Sequence, residues 1–466
     1  MKKFNTLAIS DPEGLVFGRS TYPVTTRRGL VIGDGNVYPE LNFTLPEIEI
    51  SETTLPTIVT MYQSIVDEAC KRACELQCPG LVIEFETLIE MTLNPHFALR
   101  ITETINSVLD KYHENHGLKS ALRLTPNDTR DKKRPPSMRS GPLLENMLKT
   151  FSLCANAGAE LLSIESTGGK EIHDDALISC DIAKALFALG IMGVRDMSFL
   201  WERIIPIAED VGTVAAGDTA CGFGNTAMVL AERKFIPRVF AAVIRAMTIP
   251  RSLVAYEMGA VGPGKDCGYE NPFIKAITGY PMAMEGKSAA CAHTSPLGNI
   301  AAATCDLWSN ESVQNIKLLG GMAPTVSLEQ LAYDCRLMNT ATKKKQMVTL
   351  RNLMVESDTY HDPQALILSP ENVILISDTI LNRTNHYTMT KYAAIKALEI
   401  IEKAHNDGLC VIPENEVSWI SMLGDLLSSL PDQTETFIEQ TIPLLDAKKF
   451  RPEDYELRLK NQATAV

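Results

Sequence analysis

The sequence predicts a (β/α)8 TIM barrel with an irregular N-terminal layer and a C-terminal helical region. Short apolar runs bounded by turn residues recur eight times, at 81–85, 120–124, 160–164, 188–194, 212–216, 252–256, 281–284 and, more weakly, 315–319. Helix-like segments separate them, for example 143–157, 174–187, 225–235 and 296–308, and such alternation is that of parallel strands joined by helical crossovers. Eight repeats in about 240 residues match the usual size of such a barrel. A doubly wound open sheet, which shares this alternation, is the runner-up.

The flanking regions are read from their punctuation. Residues 1–55 are rich in Gly, Pro and Thr, with short apolar pieces such as 29–33, and predict an irregular layer, not a separate domain. Helical spacing over 57–76 stops at Pro79-Gly80, before the first strand. Beyond about residue 325 the pattern turns helical, as at 328–354 and 392–406. The expected division is a barrel with its N-terminal layer over 1–325 and a helical region over 326–466.

Composition narrows the function classes. The 466 residues are 45% apolar and 22% charged, ordinary for a globular protein. A formal charge of −13 argues against nucleic-acid and anionic-membrane partners, which attract basic surfaces. No signal-peptide pattern opens the chain, and no apolar run approaches the ~20 residues of a membrane span. Eleven cysteines, an odd number scattered through a long chain, read as reduced thiols and predict a cytoplasmic protein.

The segment Gly259-Ala-Val-Gly-Pro-Gly-Lys-Asp-Cys-Gly-Tyr-Glu-Asn271 has the glycine and lysine spacing of a phosphate-binding loop. Asp266 stands where that loop needs Ser or Thr for magnesium, which excludes the reading. What remains is Cys267 on a glycine-rich turn, a place for a soft metal.

Barrel active sites lie at the C-terminal ends of the strands. Polar residues expected there are Glu84, Glu86, Arg123, Glu165, Asp218, Cys221, Glu257, Cys267, Glu285 and Lys287. Glu165, Cys221 and Cys267 follow three expected strands and can converge on one point. Two thiolates and one oxygen suit Zn²⁺, and three protein ligands leave a fourth position open, as in catalytic zinc sites. Cys291 with His293 is the rival ligand pair, lying further past its strand. Cys70, Cys74 and Cys78 share one helical face and read as core, as do Cys154, Cys180, Cys305 and Cys335. Glu84 and Glu86, two apart in a strand, share a face and can form an acid/base pair or cap a helix.

Three segments carry a resemblance: Ser163-Ile-Glu-Ser-Thr-Gly-Gly-Lys-Glu171, Gly217-Asp-Thr-Ala-Cys-Gly-Phe-Gly-Asn-Thr-Ala-Met228, and the run from Arg251 through the Cys267 loop to Asn271. They resemble the zinc-site segments of the methanol:corrinoid protein Co-methyltransferases, and the likeness extends from Phe17 towards the C-terminus. The resemblance implies a (β/α)8 barrel whose zinc is held by Glu165, Cys221 and Cys267. It implies transfer of the methyl group of methanol to cobalt(I) of a corrinoid, with Asp218 or Glu257 as a possible general acid. Ala220 and Gly222-Phe-Gly224 depart from the more polar residues of archaeal members, which bears on the substrate pocket around Phe223, Tyr256 and Tyr269. None of the eight histidines stands in the Asp-x-His-x-x-Gly context of a cobalamin domain, so the corrinoid is expected on a partner protein, with this chain a homodimer within a hetero-oligomer. The alternatives are a methoxylated aromatic or other small methyl donor, and a non-catalytic scaffold of a corrinoid complex. Lys265 near Cys267 reads as a solvated surface lysine.

Overall fold

The computed structural model describes residues 4–313, 317–318 and 321–457. The chain opens with the antiparallel hairpin β1 (Arg19–Thr25) and β2 (Val31–Asp34), then β3 (Tyr38–Thr44), α1 (Leu55–Glu75), β4 (Leu81–Glu86), α2 (Ile89–Leu93), α3 (Pro95–His116) and β5 (Ser120–Thr125). There follow α4 (Pro142–Asn156), β6 (Leu161–Ile164), α5 (Lys170–Ser179), α6 (Ile182–Phe187), α7 (Val194–Val211), β7 (Val214–Asp218), α8 (Cys221–Glu232), α9 (Arg238–Met258) and α10 (Asn271–Thr278). Then come β8 (Ala283–Glu285), α11 (Lys287–Ala292), β9 (Leu307–Val313), α12 (Ala323–Lys343) and α13 (Met347–Asp358). The described chain closes with α14 (Pro363–Leu366), α15 (Pro370–Leu381), α16 (His386–Asn406), α17 (Glu414–Ser429) and α18 (Thr434–Thr441).

Seven parallel strands form one curled sheet in the order β7-β6-β5-β4-β3-β9-β8. Residues 260–266 fill the gap between its two edges. Val261 N–H donates to Ala215 O on β7 at 2.9 Å, while Ala283 and Glu285 of β8 donate to Gly264 O and Asp266 O at 2.8 and 3.0 Å. The glycine-rich segment is thus the eighth stave, which closes a (β/α)8 barrel. Its glycines are steric necessities. A Cβ on Gly262, whose φ is +73°, would fall 2.4 Å from Pro281 O, and one on Gly264 would fall 2.1 Å from the Tyr256 hydroxyl.

Strand side chains alternate between the barrel interior and the helical shell. At the N-terminal end the interior is apolar: Val82, Ala121, Leu161, Ala216 and Leu307 pack with Leu30 and Ile32 of β2. Within the expected irregular N-terminal layer of residues 1–55, the β1–β2 hairpin is therefore a plug in the barrel floor, while β3 is a strand of the barrel itself. Two residues further along the same inward faces stand Glu40, Glu84, Arg123 and Ser163, all buried. Arg123 braces this middle layer. Its Nε and Nη2 donate to the two oxygens of Glu40, and its Nη1 donates to Ser163 Oγ at 2.7 Å and to Pro263 O at 2.8 Å.

Several expected elements are corrected. Residues 252–256 lie within α9, not in a strand. That helix is buried almost throughout, so its apolar run carries no amphipathic period. It is long and apolar enough for a membrane span by length and composition, but it lies wholly inside the fold. Residues 188–194 are also helical: Ala188–Gly193 form a buried π-helical turn between α6 and α7. The expected helix over 296–308 is a 3₁₀ turn, Ile300–Thr304, running into β9. The weak strand at 315–319 falls mostly outside the described residues. The expected boundary at 325–326 cuts α12, which packs on β3 and β9 as the last barrel helix.

Arg123→Met leaves Glu40 buried without its counter-charge, and breaking a buried pair in this way costs about 3–5 kcal/mol. Urea unfolding followed by circular dichroism should show the midpoint fall accordingly; an unchanged midpoint would remove Arg123 from its bracing role.

Candidate metal centre

Glu165 follows β6, Cys221 opens α8 after β7, and Cys267 follows the eighth stave, so three adjacent staves deliver the three side chains to one end of the barrel. One ligand atom from each lies within 4.8 Å of the other two. Cys267 Sγ is 3.8 Å from Glu165 Oε1, and Asn225 Nδ2 lies 3.2 Å from Cys221 Sγ. Cys221 is the first residue of α8, where the helix dipole favours a negatively charged sulfur.

The sulfurs of Cys221 and Cys267 are bonded as a disulfide, their Cα atoms 5.2 Å apart. This corrects the expectation that every cysteine is reduced; the other nine are free, and Cys70 and Cys154 are core residues as expected. Two thiolates on one tetrahedral zinc stand about 3.8 Å apart, from Zn–S bonds of about 2.3 Å. The bonded pair and a shared metal are therefore alternative states of the same two side chains, and metal binding requires the reduced one.

The charge balance of the mouth tests whether a cation fits. Lys265 is 4% exposed, not the solvated lysine expected. Its Nζ lies 3.0 Å from Glu84 Oε1, 2.9 Å from Glu86 Oε2 and 2.9 Å from Glu165 Oε1. Glu84 and Glu86 thus face one ammonium and do not form an isolated acid/base pair. One positive charge set against three carboxylates leaves an excess of negative charge, before any thiolate is added. Burial pushes the Glu165 carboxyl up to about 7, against the pull of Lys265. A half-buried carboxylate and two sulfurs with unmet negative charge form a donor set that suits a divalent soft-to-borderline cation.

Buried partners fix the backbone beside each of the three. Asp218 Oδ1 accepts from Ser166 N–H and Asp218 Oδ2 from Trp201 Nε1, each at 3.2 Å. Arg251 Nη2 donates to Ser166 O at 2.6 Å and lies over the Phe223 ring. Glu270 Oε1 accepts from Ala220 N–H at 2.6 Å and Ser252 Oγ at 2.8 Å. Asp266 accepts from Tyr269 N–H at 2.5 Å and Asn271 N–H at 2.9 Å, holding the turn on which Cys267 rides. Arg251 and Glu270 were missed as site residues, though both stand inside the quoted Arg251–Asn271 run.

Other expected site residues are placed differently. Asp218 is fully buried with both oxygens engaged, so it positions Ser166 and does not face the mouth. Glu257 ends α9, before the eighth stave, and so sits at the opposite end from the trio, where its Oε2 lies 2.6 Å from His386 Nε2. That position excludes it as a general acid at the mouth. Lys287 is exposed and paired with Asp334 at 3.1 Å. His293 Nδ1 lies 3.5 Å from Glu285 Oε2, while Cys291 is exposed. Phe223, Tyr256 and Tyr269 are fully buried; Phe223 packs edge-on against His173 and under Arg251, while the Tyr256 hydroxyl donates to Ala216 O at 3.4 Å, towards the floor. A cleft of about 190 Å³, lined by Glu86, Thr125, Glu165, Ser166 and Gly222, opens beside Glu165.

Fold and site together define a β/α-barrel enzyme with a carboxylate and two sulfurs at its mouth. The family model of the methanol-cobalamin methyltransferase B subunit matches residues 1–456. The methanol–corrinoid protein co-methyltransferase of Methanosarcina barkeri (strain Fusaro / DSM 804) is 39% identical over 461 residues, covering 97% of this chain and 99% of that protein. In the crystal structure of the methanol:cobalamin methyltransferase complex MtaBC from Methanosarcina barkeri, a chain of 38% identity superposes with a TM-score of 0.94, covering 98% of this chain and 100% of that one. The chain belongs to the methanol-cobalamin methyltransferase B subunit family.

Burial lifts the Asp218 carboxyl from 3.8 to about 6. Between those values the folded state keeps a proton that the unfolded state has lost, so this group's contribution to stability falls as pH rises from about 4 to about 6. Melting curves of wild type and Asp218→Asn across that window should show the wild-type advantage shrinking with pH by on the order of 3 kcal/mol. An advantage that grows with pH would contradict the placement.

Proposed function

We propose that this chain cleaves the C–O bond of methanol and passes the methyl group to cobalt(I) of a corrinoid carried by a partner protein, at a zinc centre held by Glu165, Cys221 and Cys267. The convergence of these three side chains at the barrel mouth carries the reading, and family membership sets the reaction. Methanol, cobalt(I) and one proton give methyl-cobalt(III) and water. Zinc, when bound, supplies Lewis acidity towards the alcohol oxygen.

The chain's own residues prepare the place. The Ser166 and Ala220 anchors and the Asp266 turn hold the three ligands on adjacent staves, so little reorganisation is needed on metal binding. The apolar floor closes the barrel from below, which leaves the mouth as the route for methanol and for the corrinoid. Membership of the methanol-cobalamin methyltransferase B subunit family favours methanol over a methoxylated aromatic as the donor. Support for a corrinoid partner comes from the relative solved as a methanol:cobalamin methyltransferase complex. A homodimer within such a complex, located in the cytoplasm, belongs to the same proposal.

Reduced wild-type protein should bind one zinc per chain and methylate cobalt in the presence of a purified corrinoid partner and methanol. Cys267→Ala should lose zinc and methyl transfer together, by at least about 10²-fold in affinity, given loss of a direct ligand. Retention of both by the folded variant would sink the site, and preference for a methoxylated aromatic would change the donor.

Zinc titration of the reduced metal-free protein near pH 6.5 should also release protons, one of them from Glu165, whose carboxyl is lifted to about 7. Below that value the carboxyl holds a proton that the metal must displace, so Glu165→Gln should release fewer. Equal release from both proteins would show that Glu165 is already ionised at this pH.

A further inference from the structure

Lys265 occupies an unusual place for a lysine. It is nearly excluded from solvent, on the stave that closes the barrel and two residues before Cys267. Its ammonium has three donors, and three carboxylates lie within 3.0 Å: Glu84 on β4, Glu86 at the end of β4, and Glu165 after β6. Each carboxylate has few other partners. Glu84 Oε1 accepts from Thr125 Oγ1 at 2.6 Å, while its Oε2 has no hydrogen-bond partner among the described residues. Glu86 accepts from Asn42 Nδ2 at 3.1 Å. Among the described residues, Glu165 Oε1 has only Lys265 at ion-pair distance, with the sulfur of Cys267 at 3.8 Å.

We infer that Lys265 is the positioning residue of the metal centre: its ammonium pins Glu165 Oε1 so that the carboxylate stands ready beside the two sulfurs. The inference deepens the zinc reading and rests on it. An ammonium beside a dication carries a Coulomb cost. Three carboxylates outnumber it, however, and without it they would repel one another in a site with little water. Glu86 and Glu165 both line the cleft, but Glu86 is held on strand β4 whereas Glu165 stands on the loop after β6, so Glu165 is the one free to swing away. Hydrogen-bond partners behind metal ligands change affinity by about 10–100-fold when removed. The lysine that gives this loop the look of a phosphate binder is in this account an internal cation that holds a ligand.

The test compares reduced wild type, Lys265→Met, and the double variant Lys265→Met/Glu84→Gln, which removes one charge of each sign and so preserves folding if the single variant does not fold. Zinc affinity is read by competition with a chromophoric chelator, and ligand geometry by the visible bands of the cobalt(II)-substituted protein. Expected are a loss of zinc affinity of about 10–100-fold in whichever variants fold, and shifted cobalt bands while the two thiolate-to-metal bands persist. Wild-type affinity and an unchanged cobalt spectrum in a folded variant would overturn the role of Lys265. Failure of the reduced wild type itself to bind zinc would instead overturn the zinc reading.

Discussion

The backbone hydrogen bonds that tie residues 260–266 between β7 and β8 are the constraint on which the rest depends. The sheet has seven strands, and its edges meet only because an irregular, glycine-rich segment bonds to Ala215 on one side and to Ala283 and Glu285 on the other. A side chain at Gly262 or Gly264 would collide with Pro281 or Tyr256, so the segment can lie that close only without them. Its path turns Lys265 into the barrel and carries Cys267 to the rim. Closure of the fold and assembly of the site are one event.

Along the barrel axis the interior changes character. The floor is apolar and sealed by the hairpin β1–β2, the middle holds the Arg123–Glu40 pair, and the mouth holds more carboxylates than cations. Apolar burial below supplies stability, which allows the mouth to carry groups that a stability-driven core would exclude. Arg123 joins the layers, since it also donates to Pro263 O on the closing stave. The negative mouth is what the proposed metal cation would balance.

Much of this was legible in the sequence. β4, β5, β6, β7 and β8 showed as apolar runs, and the trio of Glu165, Cys221 and Cys267 came from expected strand ends together with the family resemblance, although the strand expected before Cys267 is part of helix α9. What failed did so for physical reasons. β3 and β9, with Pro39, Glu40 and Asn42 in one and Ser309 and Asn310 in the other, lack the apolar run sought in a buried strand. α9 is buried on every side, so its apolar text passed for a strand. The eighth stave, residues 260–266, was hidden because glycine, proline and lysine are the residues of a loop. Lys265 was misplaced because burial of a lysine depends on carboxylates that lie about 100 and 180 residues away in sequence, a juxtaposition that only the closed barrel creates.

X-ray absorption at the zinc edge of reduced, zinc-loaded protein tests the central claim most directly. The account predicts two sulfur neighbours at about 2.3 Å and lighter atoms at about 2.0–2.2 Å, with one zinc per chain. A shell without sulfur, or one with a single sulfur, would contradict the assignment of Cys221 and Cys267 to one metal.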